Sequence, residues 1–309
     1  MITSLFRKST PLNYSLVVLL MLFFFFLYQF HDLNWTNSWI TITNKMFLLA
    51  IIFGSLFIVN FIVKKNGLTK NSSYTILFFM LMLLFFPTVL DNPSLLLSNF
   101  FLLLAMRRLI SLQTLKAPKE KIFDASLWIF IGSLFHFWCI LFILLVYISI
   151  FFHVSRDYRN WLLPFVAFFA TAIIFILTSM VYDQTWILGL LTQMQMNFQI
   201  DYFTNNYQNM ALSFYVVMAL YFVLSMMISL TSKPQILQAS YKKMVFTFFI
   251  GIVVFLISPD KGNAVLVFTF MPLSVMATSN IEYSQNKIQQ EIVAGLFIIV
   301  AIFAFFSQL

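Results

Sequence analysis

The chain has 309 residues, 61% of them hydrophobic and only 9% charged. A soluble domain carries about 25% charged residues, so a water-soluble fold of this composition would lack a surface, and the bilayer is its natural solvent. The formal charge of +8 then reads as Lys and Arg held back on the cytoplasmic side, and no nucleic-acid partner is expected.

The first apolar run, 12–30, follows Arg7 and Lys8 as a signal peptide would. Tyr28-Gln29-Phe30-His31 offers no small-residue cleavage site, so the run is predicted to be an uncleaved spanning helix. Further spans are predicted at 46–63, 74–90, 94–106, 161–181, 211–231, 244–257, 264–278 and 292–307. Several fall short of the roughly 20 residues a crossing needs, which points to completion by flanking residues or to a place inside the protein.

The stretch 125–152 is ambiguous by length. Its 28 residues would make a helix of roughly 42 Å, long for one pass and short for two. Charge decides between the readings. Arg107, Arg108, Lys116, Lys119 and Lys121 precede it, and Arg156 and Arg159 follow it. Both flanks are therefore cytoplasmic, and the stretch enters and returns as two short arms, turning between Gly132 and Trp138. The resulting fold class is an all-α polytopic bundle of about 11 membrane segments, N-terminus inside and C-terminus outside. Of the 18 basic residues only Lys45 and Lys261 then lie outside. A single pass at 125–152 would destroy that bias.

The largest outer loop, 182–210, has no Lys or Arg and is rich in Gln, Asn, Met and Tyr. It reads either as a surface for sugar or lipid headgroups or as an interfacial amphipathic helix. The sequence shows no repeat or internal domain boundary, so 1–309 is one membrane domain. Cys139 is the sole cysteine and reads as a small buried hydrophobe. Walker, dinucleotide, zincin and Gly-x-Ser-x-Gly motifs are missing, and no loop could hold a nucleotide-binding domain, which excludes an ATP-driven pump in this chain. The spans are nearly free of ionisable residues away from their ends, which counts against an ion-coupled transporter.

Polar residues gather instead at the outer turns: His31-Asp32, Asp91-Asn92-Pro93, His136, and Ser258 through Asn263. Brought together, they would form a shallow outer pocket. Asp32 and Asp91 are the candidate catalytic carboxylates, able to act as base toward an acceptor hydroxyl or amine. Lys261 would hold a lipid-linked phosphate, with His136 and His31 as further substrate-binding candidates. Each has a plainer reading: a wetted loop Asp, an Asx-Pro turn, a satisfied interior His. No cofactor is implied; a divalent metal could be held by Asp and His, but the spacing does not require one. Asn34-Trp35-Thr36 fits a glycosylation sequon, meaningful only in a eukaryotic secretory pathway.

The run from Asp91-Asn92-Pro93 to Arg107-Arg108 resembles the third and fourth helices of the GT-C superfamily, polytopic glycosyltransferases that use polyprenyl-linked sugar donors. Phe123-Asp124-Ala125 through Trp138 is similar to the in-and-out pair that follows in those enzymes, and Arg156 to Pro164 continues the likeness. It covers about 12–181, a GT-C-like module; 211–309 would be additional helices. The resemblance implies an acidic residue in the first outer loop, matched by Asp32, and often a second in the next, matched by Asp91. It also implies a polyprenyl-phosphate-linked donor. The chain departs from the pattern in having one Asp after the first helix where many members have a pair, and in lacking a soluble C-terminal domain. The chain as a whole resembles an uncharacterised family of inner-membrane proteins from flavobacteria and relatives, which implies a bacterial inner-membrane location.

Three functions follow as expectations. The first is a GT-C-like transferase moving a sugar or related group from a polyprenyl-phosphate carrier at the outer face. The second is a non-catalytic membrane subunit that positions protein partners, which would tolerate Asp32→Asn and Asp91→Asn. The third is a lipid-carrier flippase or polymerase-like protein, which would need a polar cavity through the bundle. Membrane lipids are partners in all three.

Overall fold

With 41 Phe and only 7 Gly among its residues, the chain satisfies its backbone in lipid by forming helices, the one open-ended structure that leaves no peptide group unpaired there. The computed structural model describes residues 2–31, 35–36, 38–198, 206–259, 262–284 and 286–309. Among them there are helices and no strands. The α-helices are α1 (Ile2–Phe6), α2 (Pro11–Gln29), α3 (Trp39–Lys65), α4 (Tyr74–Phe85), α5 (Pro93–Ile110), α6 (Pro118–Phe135) and α7 (Ile143–His153). They continue as α8 (Arg159–Tyr182), α9 (Thr185–Gln193), α10 (Asn206–Ser229), α11 (Gln235–Ile257), α12 (Phe270–Tyr283) and α13 (Lys287–Ser307). Tight 3-10 segments at Pro87–Asp91, Phe137–Phe142 and Asn263–Thr269 extend α4, α7 and α12.

Polar residues start the helices where the apolar runs begin. Thr10 accepts from the Asn13 amide before Pro11 opens α2, and Asn92 accepts from the Leu95 amide at 3.1 Å before Pro93 opens α5. The Asp91-Asn92-Pro93 turn is thus a helix cap with proline at the first helical position. The observed helices run past the predicted spans because their first turns are polar: α3 begins at Trp39, α6 at Pro118 and α11 at Gln235.

Among the described residues eight helices are long and apolar enough to cross a bilayer. The short apolar α4 lies innermost: all 12 of its residues are buried. Asn263–Tyr283 packs beside it, with 94% of its apolar window inside the protein. By contrast only 22% of the α8 window is buried, which leaves Phe169, Ile173, Ile174 and Leu177 exposed for lipid. Close approach at the centre relies on small residues. Ser98 of α5 donates from Oγ to the Gly132 carbonyl of α6 and to Cys139 Sγ, both at 2.9 Å. Cys139 is buried.

The 125–152 stretch is divided at His136, where the backbone turns extended (φ −141°). The arms are longer than expected, since α6 draws on Pro118 to Asp124 and the return occupies Phe137–His153. The charged first two turns of α6 lie outside any apolar window, which is why the sequence placed the start too late.

Contacts between loops sort the chain into two ends. At one end Lys119 pairs with Asp157 at 3.1 Å and Arg108 with Asp124 at 2.7 Å. There too Thr3 reaches Glu291, and Ser72 donates to Glu282 at 2.5 Å. Every described Lys and Arg except Lys45 belongs to the loops and helix turns of this basic end. At the other end Gln29 meets Asp91, Gln193 meets the Phe137 amide at 3.2 Å, and Asn263 donates to the Gln208 carbonyl at 3.1 Å.

One expectation is corrected. The charge count leaves Lys243 in the cytoplasmic loop before the span predicted at 244–257, and the spans are expected to be nearly free of ionisable residues away from their ends. Lys243 lies in the third turn of α11, completely buried, with Nζ 2.6 Å from the Leu109 carbonyl and 3.2 Å from His153 Nε2. The misplacement arose because Lys242 and Lys243 look alike in sequence, while only Lys243 falls on the helix face that carries Ser240, Thr247 and Gly251 into the core.

Candidate functional site

Asp91 closes the 3-10 turn after α4, and its carboxylate projects into a cavity of about 630 Å³ between α2, α3 and the end of α13. Gln29, in the last turn of α2, donates from Nε2 to Asp91 Oδ1 at 2.6 Å. Lys45, two turns into α3, makes an ion pair with the same oxygen. His31, Trp35 and Asn44 also line the space. The Asp91 side chain keeps 42% of its surface exposed, so it is accessible from the cavity.

Gln308 enters this cavity from the far end of the chain. Its Nε2 donates to the carbonyls of Phe85 and Ala304, at 2.9 and 2.8 Å, while its buried Oε1 has no partner among the described residues. A buried acceptor without a partner is costly.

His136 occupies a second, smaller cavity of about 210 Å³, walled by Asn92, Ser94, Trp138 and Gln193. Its Nε2 lies 3.4 Å from Ser258 Oγ and its ring leans on Phe268, centroids 5.5 Å apart. The buried Trp138 indole N–H has no partner among the described residues. The capped first turn of α5 separates the two cavities: Pro93 faces the first, Asn92, Ser94 and Leu95 the second. Asp91 and His31 are therefore brought together, and His136 stands apart from them. Asp32 and Lys261 lie outside the described residues.

Sequence reasoning passed over Lys45 and Gln29. Lys45 looked like the exception to the charge bias; in the structure it is the cation that holds Asp91. The pairing spans 46 positions, and nothing local in the sequence announces it. No three His, Cys, Asp or Glu side chains among the described residues converge on a metal-holding arrangement.

Comparison with curated proteins and with solved structures gives no match. A family model described as a family of unknown function (DUF6427) matches residues 3–309, and the chain belongs to that family.

Proposed function

We propose that this protein is a GT-C-like transferase of a bacterial inner membrane, acting on a polyprenyl-phosphate-linked sugar or related group at the outer face. About eleven segments cross the bilayer: the eight long helices, together with α4, α6 and α7 and their 3-10 extensions. The basic end is cytoplasmic, following the Lys/Arg rule, so the Asp91 cavity opens outward at headgroup depth.

The observation that carries the reading is the meeting of Asp91, Lys45, His31 and Gln29 in one accessible cavity at the end opposite the basic loops. Asp91 accepts the proton of an acceptor hydroxyl as its oxygen bonds to the anomeric carbon. The carbon–oxygen bond to the carrier phosphate breaks, and the bonding pair leaves with the phosphate. Once Asp91 is protonated, Lys45 loses its partner and turns to the developing phosphate charge. Asp32, between α2 and α3 in sequence, and Lys261, between α11 and α12, are proposed as the second carboxylate and a second phosphate contact, with His31 as a further polar contact in the Asp91 cavity and His136 as one in the neighbouring cavity.

The test is the pool of lipid-linked sugars in the source organism, extracted and separated by chain and headgroup. Deletion of the gene, and Asp91→Asn in its place, raise one polyprenyl-linked species severalfold. An unchanged pool in the deletion strain contradicts the proposal.

A second reading has its own observation. Asp91 is already neutralised by Lys45 and bonded by Gln29, as a structural tie would be. On that reading the protein is a scaffold for membrane partners, and Asp91→Asn costs stability but no reaction.

A further inference from the structure

We infer that the basic end carries a built site for the phosphate headgroup of an anionic membrane lipid, separate from the Asp91 cavity and independent of the function proposed for it. A cavity of about 270 Å³ lies where α3, α5 and α6 meet, and Lys65, Arg107, Arg108, Lys116 and Lys121 all line it. Ser111 and Thr114 add hydroxyls to its wall. Retention of Lys and Arg on one side of a membrane scatters cations over loops. It does not by itself direct five of them into one concavity, against which the described residues set one ion-paired carboxylate, Asp124 on Arg108.

The loop that completes the wall has an unusual backbone. Leu115 and Ala117 both adopt left-handed φ, +54° and +45°, a region that disfavours side chains with a Cβ. Lys121 holds this loop closed, donating from Nζ to the Ser111 carbonyl at 2.7 Å and to Thr114 Oγ1 at 2.9 Å. Backbone strain kept in place by a specific clamp is common where a loop shapes a ligand site.

A second observation selects a lipid. The cavity continues into an open groove of about 710 Å³ along α3, walled by Phe57, Ile58 and Phe61 and sharing Lys65 and Arg107. Both cations sit over the Phe61 ring, Lys65 Nζ at 5.0 Å and the Arg107 guanidinium at 4.8 Å from its centroid. They stand at the junction of charge and hydrocarbon. A phosphodiester in the cavity would take charge-assisted bonds from Arg107 and Arg108, and its acyl chain would lie against the phenyl rings. Basic pockets between helices at a cytoplasmic interface are where anionic headgroups bind.

The experiment titrates the purified full-length protein in neutral detergent with dioleoyl phosphatidylglycerol and follows its melting temperature. Parallel titrations use dioleoyl phosphatidylethanolamine, glycerol phosphate and inorganic phosphate. Phosphatidylglycerol should raise the melting temperature at concentrations where the other three do not. Lys65→Gln with Arg107→Gln should weaken its apparent affinity by about tenfold or more, since the pair removes two cations of the cavity, one of them a charge-assisted bond to the phosphate. Lys116→Gln, at an exposed position that should fold normally, should weaken it less. Lys8→Gln with Arg156→Gln removes the same charge outside the cavity and should leave the affinity unchanged. The inference is overturned if glycerol phosphate or inorganic phosphate matches the lipid, if the zwitterionic lipid does, or if the control pair loses as much as the cavity pair.

Discussion

The Lys119 ammonium lies 3.1 Å from the Asp157 carboxylate. One residue stands at the start of α6 and the other just beyond the end of α7, so the apolar stretch between them goes out and comes back. Asp157 is held below the usual carboxylate range, first by the Arg159 amide and then by Lys119. The two side chains keep 48% and 41% of their surface exposed, so the pair reports topology more than it contributes stability. Lys119→Ala should accordingly leave the melting temperature within error of wild type.

Asp91 and Lys45 supply the second prediction. Asp91→Asn removes the charge that offsets Lys45, and Lys45→Met removes the cation while keeping the stem. Either change should raise the same polyprenyl-linked species as deletion does, while the protein still accumulates in the membrane at wild-type level, measured by immunoblot. A fully active Asp91→Asn variant would leave the scaffold reading standing.

Glycine packing gives a third prediction. A Cβ at Gly251 would lie 2.7 Å from Thr269 Cγ2. Thr269 cannot simply rotate away, because its hydroxyl is shared between Tyr215 and the Leu266 carbonyl, both at 2.5 Å. Gly251→Ala should cost roughly 1–3 kcal/mol, the usual range for overpacking. At Gly295 in α13 nothing lies within 4 Å of the new Cβ, so Gly295→Ala should be neutral or stabilise by up to about 1 kcal/mol. Thermal melting of the two variants in one detergent checks the contrast.

Lys233 gives a pH dependence. It sits between α10 and α11, 3% exposed, with Nζ over the Tyr283 ring at 3.1 Å and donating to Ser279 Oγ at 2.7 Å. Burial pushes it down to about 8, against a smaller upward pull from Glu282 and a downward one from Lys70. The unfolded chain holds this proton up to the ordinary lysine range near 10.5. Between those values the unfolded state binds more protons, so stability rises with pH. The melting temperature should climb from pH 8 toward 10, and Lys233→Met should flatten that part of the profile. A wild-type profile that falls or stays level there would contradict the assignment.

The apolar runs, the polar ends and the turn at His136 were legible in the sequence because lipid imposes length and charge on every span. Helix starts were not, since Pro118, Gln235 and Trp39 open in polar turns that hydropathy does not register. Nor was the burial of Lys243, which depends on helix phase: the face that takes Thr247 and Gly251 inward takes Lys243 with it. The Asp91 side of the candidate site was half legible. The turn marked the carboxylate, but Lys45, Gln29 and Gln308 reach it from three other helices, and only tertiary packing brings them there.

The two-ended arrangement, with Asp91 facing away from Lys119 and Asp157, is tested most directly by single-cysteine labelling. Cys139 is 1% exposed, so it leaves a silent background. Lys119→Cys, Asp157→Cys and Asn44→Cys, the last in the wall of the Asp91 cavity, would be treated with a membrane-impermeant maleimide in spheroplasts. Position 44 should label at once, and positions 119 and 157 only after permeabilisation. Labelling of 119 and 157 from opposite sides, or of 44 from the same side as both, would contradict the account.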